Sequence, residues 1–402
     1  MSGTVPAETV ELVRDPAALE ALAGPWRALA ERTGADLWFR PEWFLAWWEG
    51  AARLDRRRRL AVAVLRRDGR LTGVLPFLVE TYGLGPAAIR VVRLAGTDPN
   101  FAVLRLALEE PPGPALRRAV ETVLAGTGAH AAALSPLSDR SDLPAAVREA
   151  FPAGGAGPRL AVDAAPRSHT VINLPDRYED FLAGLSKSRR SSRRKSARAL
   201  AEAHGLETRV FEGPAAAAQF DSVAALHRRQ WTALGRPGFF GDWPGAEALH
   251  RAACARAPEA RIYAQFAGGE MVAAQLCYLA GETCHAILAA RAATPEFDRL
   301  GLGIHAQFER VERLIPAGGR LLESGAGAYG HKLSLGGELV GLRRMILVRP
   351  GAEGRLRLLL AWAAALDLAY YRAWVLKLSP RLARVFGPRR RPLWRAWVRT
   401  RL

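Results

Sequence analysis

Two glycines, Gly301 and Gly303, stand where a predicted helix begins in the second half of the chain. They follow three apolar segments with strand character, Arg261–Phe266, Met271–Leu279 and Thr283–Ala290. The residues after them are apolar at helical spacing: Ile304, Phe308, Val311 and Ile315. Main-chain N–H groups are free at a helix start, and the helix dipole favours a negative charge there. The pattern therefore predicts a cradle for a phosphate group.

A glycine pair of this kind is also typical of simple turns and of close packing, so spacing alone leaves that interpretation open. The segment reads Leu300-Gly301-Leu302-Gly303 and has no third glycine or acidic partner placed as a dinucleotide-binding fingerprint requires. The three preceding strands also differ from that fingerprint. We therefore favour a pyrophosphate cradle of another kind.

A similar hairpin occurs near the N-terminus. Leu60–Leu65, a turn at Asp68 and Gly69, and Leu71–Leu78 correspond to the later hairpin, with Gly69 aligned on Gly269. Each copy follows a helical segment that carries tryptophan: Phe44–Trp48 and His227–Trp231. Hairpins are common, so coincidence is the alternative, but the two shared features favour duplication. Only the second copy has the glycine-rich segment, which predicts that the first is degenerate and shapes the acceptor site.

The chain has 402 residues, of which 50% are apolar, enough for two packed domains. Its three cysteines, Cys254, Cys277 and Cys284, lack metal-ligand spacing, so we expect no metal and a reducing compartment. The N-terminus has no basic region followed by an apolar run, so no secretory signal is expected. These features predict a cytoplasmic protein.

The formal net charge is +18, much of it from arginine spread along the chain. Three clusters stand out: Arg56–Arg59, Lys187–Arg198 and Arg389–Arg399. The middle cluster predicts a helix with Phe181 and Leu185 on its inner side. It is either a solvated surface or a cradle for phosphates or an anionic acceptor, with Arg190 and Arg194 as candidate substrate-binding residues.

We divide the chain into an N-terminal domain over residues 1–166, a C-terminal domain over 167–350 and a tail over 351–402. The first domain ends after the glycine-rich stretch Ala153–Pro158. The second opens with a predicted strand at His169–Leu174, followed by a helix that starts near Arg177. It ends near Arg349–Gly351.

The tail is rich in leucine, tryptophan, tyrosine and arginine. Its apolar run Leu358–Leu366 ends at Asp367 and falls short of the roughly 20 residues that a spanning helix needs. We therefore expect a basic amphipathic helix that contacts a membrane surface without spanning it. A helix that packs back on the domain is the alternative.

The order of these features resembles the CelD-type acetyltransferases, a branch of the GNAT acyltransferases associated with polysaccharide biosynthesis and related to Fem-type aminoacyltransferases. The resemblance extends to about residue 350. Its marks are Pro41, Glu42, Trp43, Gly73–Pro76, Ser186, Lys187, Arg190, Arg194, Leu226, His227, Trp231, Gly235, Leu300–Gly303, Gly327, His331 and Lys332. It implies an α/β fold with two tandem GNAT-like domains, to which we add the basic amphipathic C-terminal helical tail.

The resemblance also implies acetyl-CoA, or another acyl-CoA, as co-substrate in the second domain. Main-chain groups would hold the thioester, the pantetheine arm and the pyrophosphate at Ile287, Leu288, Ala289, Ala290, Leu300, Gly301, Leu302 and Gly303. Lys332 would lie near a phosphate or an acceptor carboxylate, with a plain surface charge as the alternative.

Attack of an amine on a thioester needs a base, donors near the developing oxyanion and a proton source for the leaving sulfur. Glu323 stands where the family has an acidic residue at the end of its fifth strand, and it is our candidate base. His285 on the adjacent strand is the second candidate. The family often has tyrosine before the lysine, but here His331 takes that position and Tyr329 lies two residues earlier, which leaves the general acid open. A salt-bridged glutamate and an interior histidine are the alternatives.

His227 and Trp231 either line the acceptor cleft on a helix face or pack in the interior. Trp43, Trp47 and Trp48 fit core packing better than stacking on a sugar.

We expect an N-acyltransferase, most simply an acetyltransferase, acting on an amine of a sugar, polysaccharide precursor or related small molecule. Fem-type aminoacyl transfer from charged tRNA is the alternative among enzymes. A non-catalytic, membrane-associated partner of a polysaccharide synthase is the alternative from another class. We expect no specific nucleic acid, and a cytoplasmic location with peripheral contact on the inner face of the membrane through the tail.

Overall fold

The structure is a computed structural model that describes residues 8–401, with gaps at residues 54, 98, 99, 153, 244, 387–390 and 392. The predicted basic residues Arg389 and Arg390, the N-terminal residues 1–7 and Ala153 lie outside the described part. The chain is a mixed α/β protein, as the sequence predicts.

The strands are β1 (Glu8–Val13), β2 (Arg58–Leu60), β3 (Val62–Arg67), β4 (Arg70–Leu75), β5 (Phe77–Tyr82), β6 (Ile89–Leu94), β7 (Ala107–Leu108), β8 (Ala131–Ser138), β9 (Arg159–Asn173), β10 (Glu207–Glu212), β11 (Ala260–Ala267), β12 (Glu270–Ala280), β13 (Thr283–Arg291), β14 (Leu321–Ala326) and β15 (Glu338–Val348). The helices are α1 (Pro16–Thr33), α2 (Pro41–Trp47), α3 (Pro112–Thr127), α4 (Leu143–Ala150), α5 (Tyr178–Ala183), α6 (Lys187–His204), α7 (Pro214–Ala233), α8 (Gly238–Asp242), α9 (Ala246–Arg256), α10 (Pro295–Leu300), α11 (Leu302–Leu314), α12 (Gly330–Leu333), α13 (Glu353–Ala365), α14 (Ser379–Phe386) and α15 (Trp394–Arg399).

Eleven strands form one sheet in the order β10-β11-β12-β13-β14-β9-β15-β8-β6-β5-β2, and a second sheet has the order β1-β3-β4-β7. The large sheet is nearly symmetrical about the central pair β9 and β15. On one side β14 pairs with the parallel strand β13, and on the other side β8 pairs with the parallel strand β6. Antiparallel strands follow outward from both pairs. The two halves of the chain thus repeat one arrangement, as expected for tandem GNAT-like domains.

The two halves exchange their last strands. β9 follows the first half along the chain yet pairs with β14 of the second half. β15 follows β14 yet pairs with β8 of the first half, and β9 and β15 pair with each other. The predicted boundary at residue 166 falls inside β9. Because the sheet is continuous across that boundary, residues of the first half can form part of a site in the second.

Both predicted hairpins form. Asp68 and Gly69 have φ angles of 50° and 79°, and Gly268 and Gly269 have φ angles of 56° and 83°. Two successive positive φ angles are the conformation that a tight two-residue hairpin turn requires. The first hairpin is interrupted at Pro76, which lacks an N–H for the ladder, so that β4 joins the small sheet and β5 the large one.

The tryptophans of the first half pack in the core. Trp26, Trp38 and Trp43 are at most 1% exposed, and Trp43 Nε1 donates to the carbonyl of Gly96 at 2.8 Å. The packing interpretation of Trp43 is therefore confirmed. The helix predicted near Arg177 and the predicted basic helix both form, as α5 and α6, and the side chain of Ser186 caps α6 by accepting from Arg189 N. Phe181 lies on α5 and Leu185 just before α6, so neither lies on α6 itself.

The tail begins with one long helix, in which α13, a π-helical stretch at Leu366–Leu378 and α14 are continuous. Its part from Glu353 to Leu382, 30 residues, is long and apolar enough to cross a membrane, and 17% of its most apolar stretch is buried. The predicted length is wrong, because the helix continues through Asp367 beyond the apolar run Leu358–Leu366. Core helices of soluble proteins meet the same criteria of length and composition.

The end of the tail packs back on the body. Arg399 Nε lies 2.8 Å from Glu80 Oε1, and Tyr82 donates from its hydroxyl to the carbonyl of Arg399 at 2.9 Å. Burial opposes ionisation of Glu80, but the guanidinium groups of Arg93, Arg58 and Arg399 outweigh it and lower its pKa to about 2. The ordinary pKa of a glutamate side chain is 4.5. The stabilisation that comes from ionised Glu80 is therefore complete above pH 4.5 and is lost as the pH falls toward 2.

Replacing Arg399 by methionine should lower the free energy of unfolding by about 1–3 kcal/mol, because it removes a charged hydrogen bond to a buried carboxylate. Denaturant unfolding at neutral pH measures this. Arg395→Met is the matched control, since Arg395 lies on the same helix and is exposed. Equal stability of the two variants would contradict the proposed anchoring of the tail.

Candidate functional site

The parallel strands β13 and β14 separate along their length. They pair from Thr283 to His285 and from Leu321 to Glu323, and β13 then continues beside β12 alone. The register of β12 and β13 shifts so that Ile287 is an extra residue, a β-bulge. A bulge beside a gap between parallel strands leaves main-chain N–H groups free to donate to a ligand. The predicted residues Ile287, Leu288, Ala289 and Ala290 all lie on this stretch of β13.

The glycine-rich segment joins two helices instead of ending a plain loop. Gly301 ends α10 and precedes α11 with a φ of 73°, a left-handed conformation that suits glycine. Leu300 ends α10, while Leu302 and Gly303 form the first turn of α11. Within the described part of the chain, the N–H groups of Leu302 and Gly303 have no acceptor. Two main-chain donors are therefore free at the helix start where the sequence predicts an anion cradle.

The basic helix α6 lies against this helix start. Ser196 donates from its hydroxyl to the carbonyl of Leu300, and a Cβ on Gly301 would meet Ser196 Oγ at 3.0 Å. Arg193 pairs with Glu312 at 2.8 Å farther along α11. Arg190 instead donates to the carbonyls of Ala183 and Leu185 at the end of α5. Arg194 and Lys195 are exposed, so the free positive charges of α6 face solvent.

Glu323 lies in the interior and not at a solvated strand end. It is fully buried, and its Oε2 lies 2.6 Å from Nδ1 of His169 on β9. Gly325 N donates to its Oε1 at 3.1 Å. On the far side of the imidazole, Nε2 lies 2.9 Å from the hydroxyl of Ser138 on β8. A hydrogen-bonded chain thus connects the candidate base to the first half of the molecule.

His285 pairs with Glu323 across the parallel strands, as the prediction of adjacent strands requires. Its ring is fully buried and meets Trp38 edge to face, with centroids 5.0 Å apart. Burial, with the charge of Arg40, lowers its pKa to about 3, so the ring is neutral. Neither ring nitrogen has a hydrogen-bond partner among the described residues. Two unmet polar atoms beside the separating strands fit a site that receives a polar ligand or water.

Asp36, just before a 3₁₀ turn at Leu37–Phe39, adds a second buried carboxyl. Burial raises its pKa to about 7, although the N–H groups of Arg105 and Leu104 donate to it. The charge of Glu323 contributes to the same shift. The site therefore combines carboxyl groups from both halves of the chain.

The segment after β14 carries the remaining candidates. Lys332 donates from Nζ to the carbonyls of Gly325 and Ala326, each at 3.1 Å, and burial lowers its pKa to about 8. Tyr329 is 57% exposed, its ring stacks on His331 with centroids 5.8 Å apart, and Lys332 Nζ lies 5.0 Å from it. Tyr329 and His331 thus form an exposed pair after β14, and Lys332 beside them is partly buried.

His227 and Trp231 lie on α7, which packs on β13. Trp231 Nε1 donates to His227 Nδ1 at 3.1 Å, and Phe239 N lies 3.0 Å from His227 Nε2. Burial lowers the pKa of His227 to about 4. Nearby, Gln230 accepts from Arg291 N at 3.0 Å and ties α7 to the end of β13.

Sequence reasoning missed four residues at the site: Asp36, Trp38, Ser138 and His169. No spacing in the sequence connects them to Glu323. His169 could have been found, because it opens a predicted strand beside the candidate base. The other three come from the first half of the chain and reach the site only through tertiary packing.

The class of enzyme follows from a comparison with protein families. Residues 186–333 match a protein family described as an acetyltransferase (GNAT) domain. This stretch is a GNAT acetyltransferase domain, and the protein is an N-acyltransferase. GNAT domains use acyl-CoA as acyl donor.

Solved structures with the same fold cover most of the chain. FemX has 12% identity and a TM-score of 0.56, over 81% of this chain and 95% of that chain. The C-terminal domain of a putative lysylphosphatidylglycerol synthetase from Agrobacterium fabrum has 13% identity and a TM-score of 0.51, over 88% and 97%. A conserved protein of unknown function from Bacteroides thetaiotaomicron has 12% identity and a TM-score of 0.50, over 85% and 100%. The comparison with curated proteins found no match. At these identities the likeness shows the fold alone.

Proposed function

We propose that this protein transfers an acyl group, most simply acetyl, from acyl-CoA to an amine of a sugar, polysaccharide precursor or related small molecule. The observation that carries the proposal is the gap between β13 and β14, with the bulge at Ile287 on one edge and Glu323 on the other. The free donors of Leu302 and Gly303 follow in the same domain. The proposed association with polysaccharide biosynthesis rests on the CelD-type resemblance.

In the proposed reaction the amine nitrogen attacks the thioester carbon, the N–C bond forms and the C–S bond breaks. The proton of the amine passes to Glu323, through water because this carboxylate is buried. Main-chain N–H groups at the bulge stabilise the oxyanion. The sulfur takes up a proton from the exposed side, where Tyr329, His331 and Lys332 are the available donors.

Aminoacyl transfer from tRNA is the second candidate, and two observations favour it. FemX shares the fold, and α6 presents exposed positive charge beside the helix start. A tRNA donor offers many phosphates, so its binding would weaken steeply with salt, whereas coenzyme A offers few.

We expect acyl-CoA-dependent release of free thiol with an amine acceptor and without RNA. Replacing Lys187, Arg194 and Lys195 together by glutamine should raise the KM for acyl-CoA by less than about tenfold, or ~1.4 kcal/mol. These three side chains are exposed, so the fold should tolerate the change. Steady-state kinetics and a tRNA competition assay at physiological salt check both points. Tight tRNA binding that these substitutions remove would favour aminoacyl transfer.

We also propose peripheral contact of a cytoplasmic protein with the inner membrane face through the long tail helix. Its exposed apolar side chains are Leu358, Trp362, Leu368, Leu376, Leu378 and Leu382. Exposed basic residues accompany them: Arg355, Arg357, Arg372, Lys377 and Arg381. Apolar groups flanked by arginine and lysine suit the interface of a bilayer with anionic lipids.

Replacing Leu368, Leu376 and Leu382 together by serine should weaken binding to vesicles that contain phosphatidylglycerol by more than about tenfold. Cosedimentation measures this, with phosphatidylcholine vesicles as the comparison. Leu84→Ser is the matched control, because Leu84 is 80% exposed but lies outside the tail. A wild-type protein that stays in solution with both kinds of vesicle would refute the proposed contact.

A further inference from the structure

A chain of hydrogen bonds crosses the centre of the large sheet in its interior. It leads from Ser138 on β8 through His169 on β9 to Glu323 on β14, with distances of 2.9 Å and 2.6 Å. All three side chains are fully buried. Main-chain N–H groups donate to the residues at both ends of this chain. Arg140 N donates to Ser138 Oγ at 3.1 Å, and Gly325 N donates to Glu323 Oε1 at 3.1 Å.

The chemistry of these groups gives the chain a direction. An ionised carboxylate only accepts, so the hydrogen between His169 and Glu323 belongs to Nδ1 of the imidazole. In a neutral imidazole the other nitrogen then accepts, so Ser138 donates to Nε2. The hydroxyl oxygen of Ser138 in turn accepts from Arg140 N. Every donor in the chain therefore points toward Glu323.

We propose that Ser138 and His169 are positioning residues that hold Glu323 as an aligned carboxylate for proton transfer. This inference rests on the function proposed above, in which Glu323 takes the proton of the amine. Burial alone favours the neutral form of a carboxyl group, which could not act as a base. Two N–H donors on the two carboxylate oxygens favour the charged form. Ser138 fixes which ring nitrogen of His169 carries the hydrogen.

The charged and titratable groups around this chain come from several elements. His285 on β13 is neutral and lies beside Glu323. Asp36 from the first half and Lys332 from α12 act on the same carboxylate through their charge. Asp36 opposes a second negative charge nearby, while Lys332 favours it. His169 is in direct hydrogen-bond contact with this carboxylate, at 2.6 Å.

The strand exchange explains why this arrangement needs both halves of the chain. Ser138 belongs to the first half, and β9, which carries His169, follows it and pairs with β14 of the second. Glu323 is thus oriented by His169 on β9, the strand between the two halves, and His169 is held in turn by Ser138 of the first half. A GNAT-like domain expressed from residue 186 onward would lack both positioning residues.

Two substitutions at His169 separate positioning from plain structural support. In His169→Asn the amide nitrogen can take the place of Nδ1 and donate to Glu323, whereas His169→Leu removes the donor. We expect the acidic limb of the pH profile of kcat/KM to move upward by about one unit or more in His169→Leu, and kcat to fall by roughly tenfold or more. His169→Asn should keep the limb near its wild-type position. Ser138→Ala should move the limb in the same direction by less.

His250→Gln is the matched control, because His250 is also buried but its Nδ1 lies 3.1 Å from a neutral group, the hydroxyl of Tyr278. Its pH profile should match that of the wild type. The inference is overturned if His169→Leu and His169→Asn share one unshifted profile while Glu323→Gln still loses activity. If Glu323→Gln is itself fully active, the proposed base is wrong, and the two failures are thereby distinguished.

Discussion

Gly303→Asp should weaken the binding of acyl-CoA by at least about 100-fold, or ~2.7 kcal/mol. The substitution places a carboxylate in the first turn of α11, where the N–H groups of Leu302 and Gly303 are free. A negative charge there would repel a pyrophosphate and occupy the donors meant for it. The added Cβ would also meet Cδ of Arg291 at 3.1 Å. Titration calorimetry with acetyl-CoA and with coenzyme A measures the effect.

The same change at Gly354 is the control for the added charge. Gly354 lies in the first turn of α13, and a Cβ there would meet no atom within 4 Å. An aspartate in the first turn of a helix is favourable in both variants, so both should remain folded. If Gly303→Asp binds acyl-CoA as tightly as Gly354→Asp, the glycine-rich segment is not the pyrophosphate site.

Local patterns were sufficient to predict the elements around the glycine pair. The three strands before Gly301, the helix after it and both hairpin turns follow from apolar periodicity and glycine placement. The helix α10 between β13 and Gly301 was missed because it is only six residues long. The break at Pro76 is visible in the sequence, but its consequence is not, since only the packing of two sheets decides where β4 and β5 go.

The interior of the site could not be predicted, because it depends on contacts between distant parts of the chain. Glu323 and His285 were recognised from strand position, yet their burial follows from Trp38 and Asp36, which lie over 240 residues earlier. The pairing of β9 with β14 brings His169 to Glu323 across 154 positions of sequence. The strand at His169–Leu174 was predicted to open the second domain, but its partner strand β14 was not.

The packing of the tail on the body also depends on residues that are distant in sequence. Composition correctly marked it as helical and rich in exposed apolar and basic residues. Its return to the body depends on Glu80, a buried acid on β5, and on Asp242 at the end of α8, to which Arg391 and Trp394 bind. The role of a buried acid such as Glu80 can be assigned only when the arginines that pair with it are known.

Glu323→Gln should lower kcat by roughly 100-fold or more, the usual size for a lost general base, and leave the affinity for acyl-CoA nearly unchanged. Glutamine has the shape of glutamate, and its amide oxygen can still accept from His169 or from Gly325 N, so the buried network keeps most of its bonds. The variant should therefore fold, and its defect should be in proton transfer. Because the phosphate-binding segment lies on α11 and not on β14, binding and turnover should separate cleanly.

Calorimetry and the pH profile of kcat together test this assignment. Glu259→Gln is a suitable control, since Glu259 is also a buried acid but pairs with Arg40 at 2.8 Å and has no hydrogen bond to His169 or Ser138. Loss of both binding and turnover in Glu323→Gln would indicate a collapsed site, and a wild-type pH profile would remove Glu323 from the mechanism. A large loss of kcat with intact binding would identify Glu323 on β14, between β13 and β9, as the base.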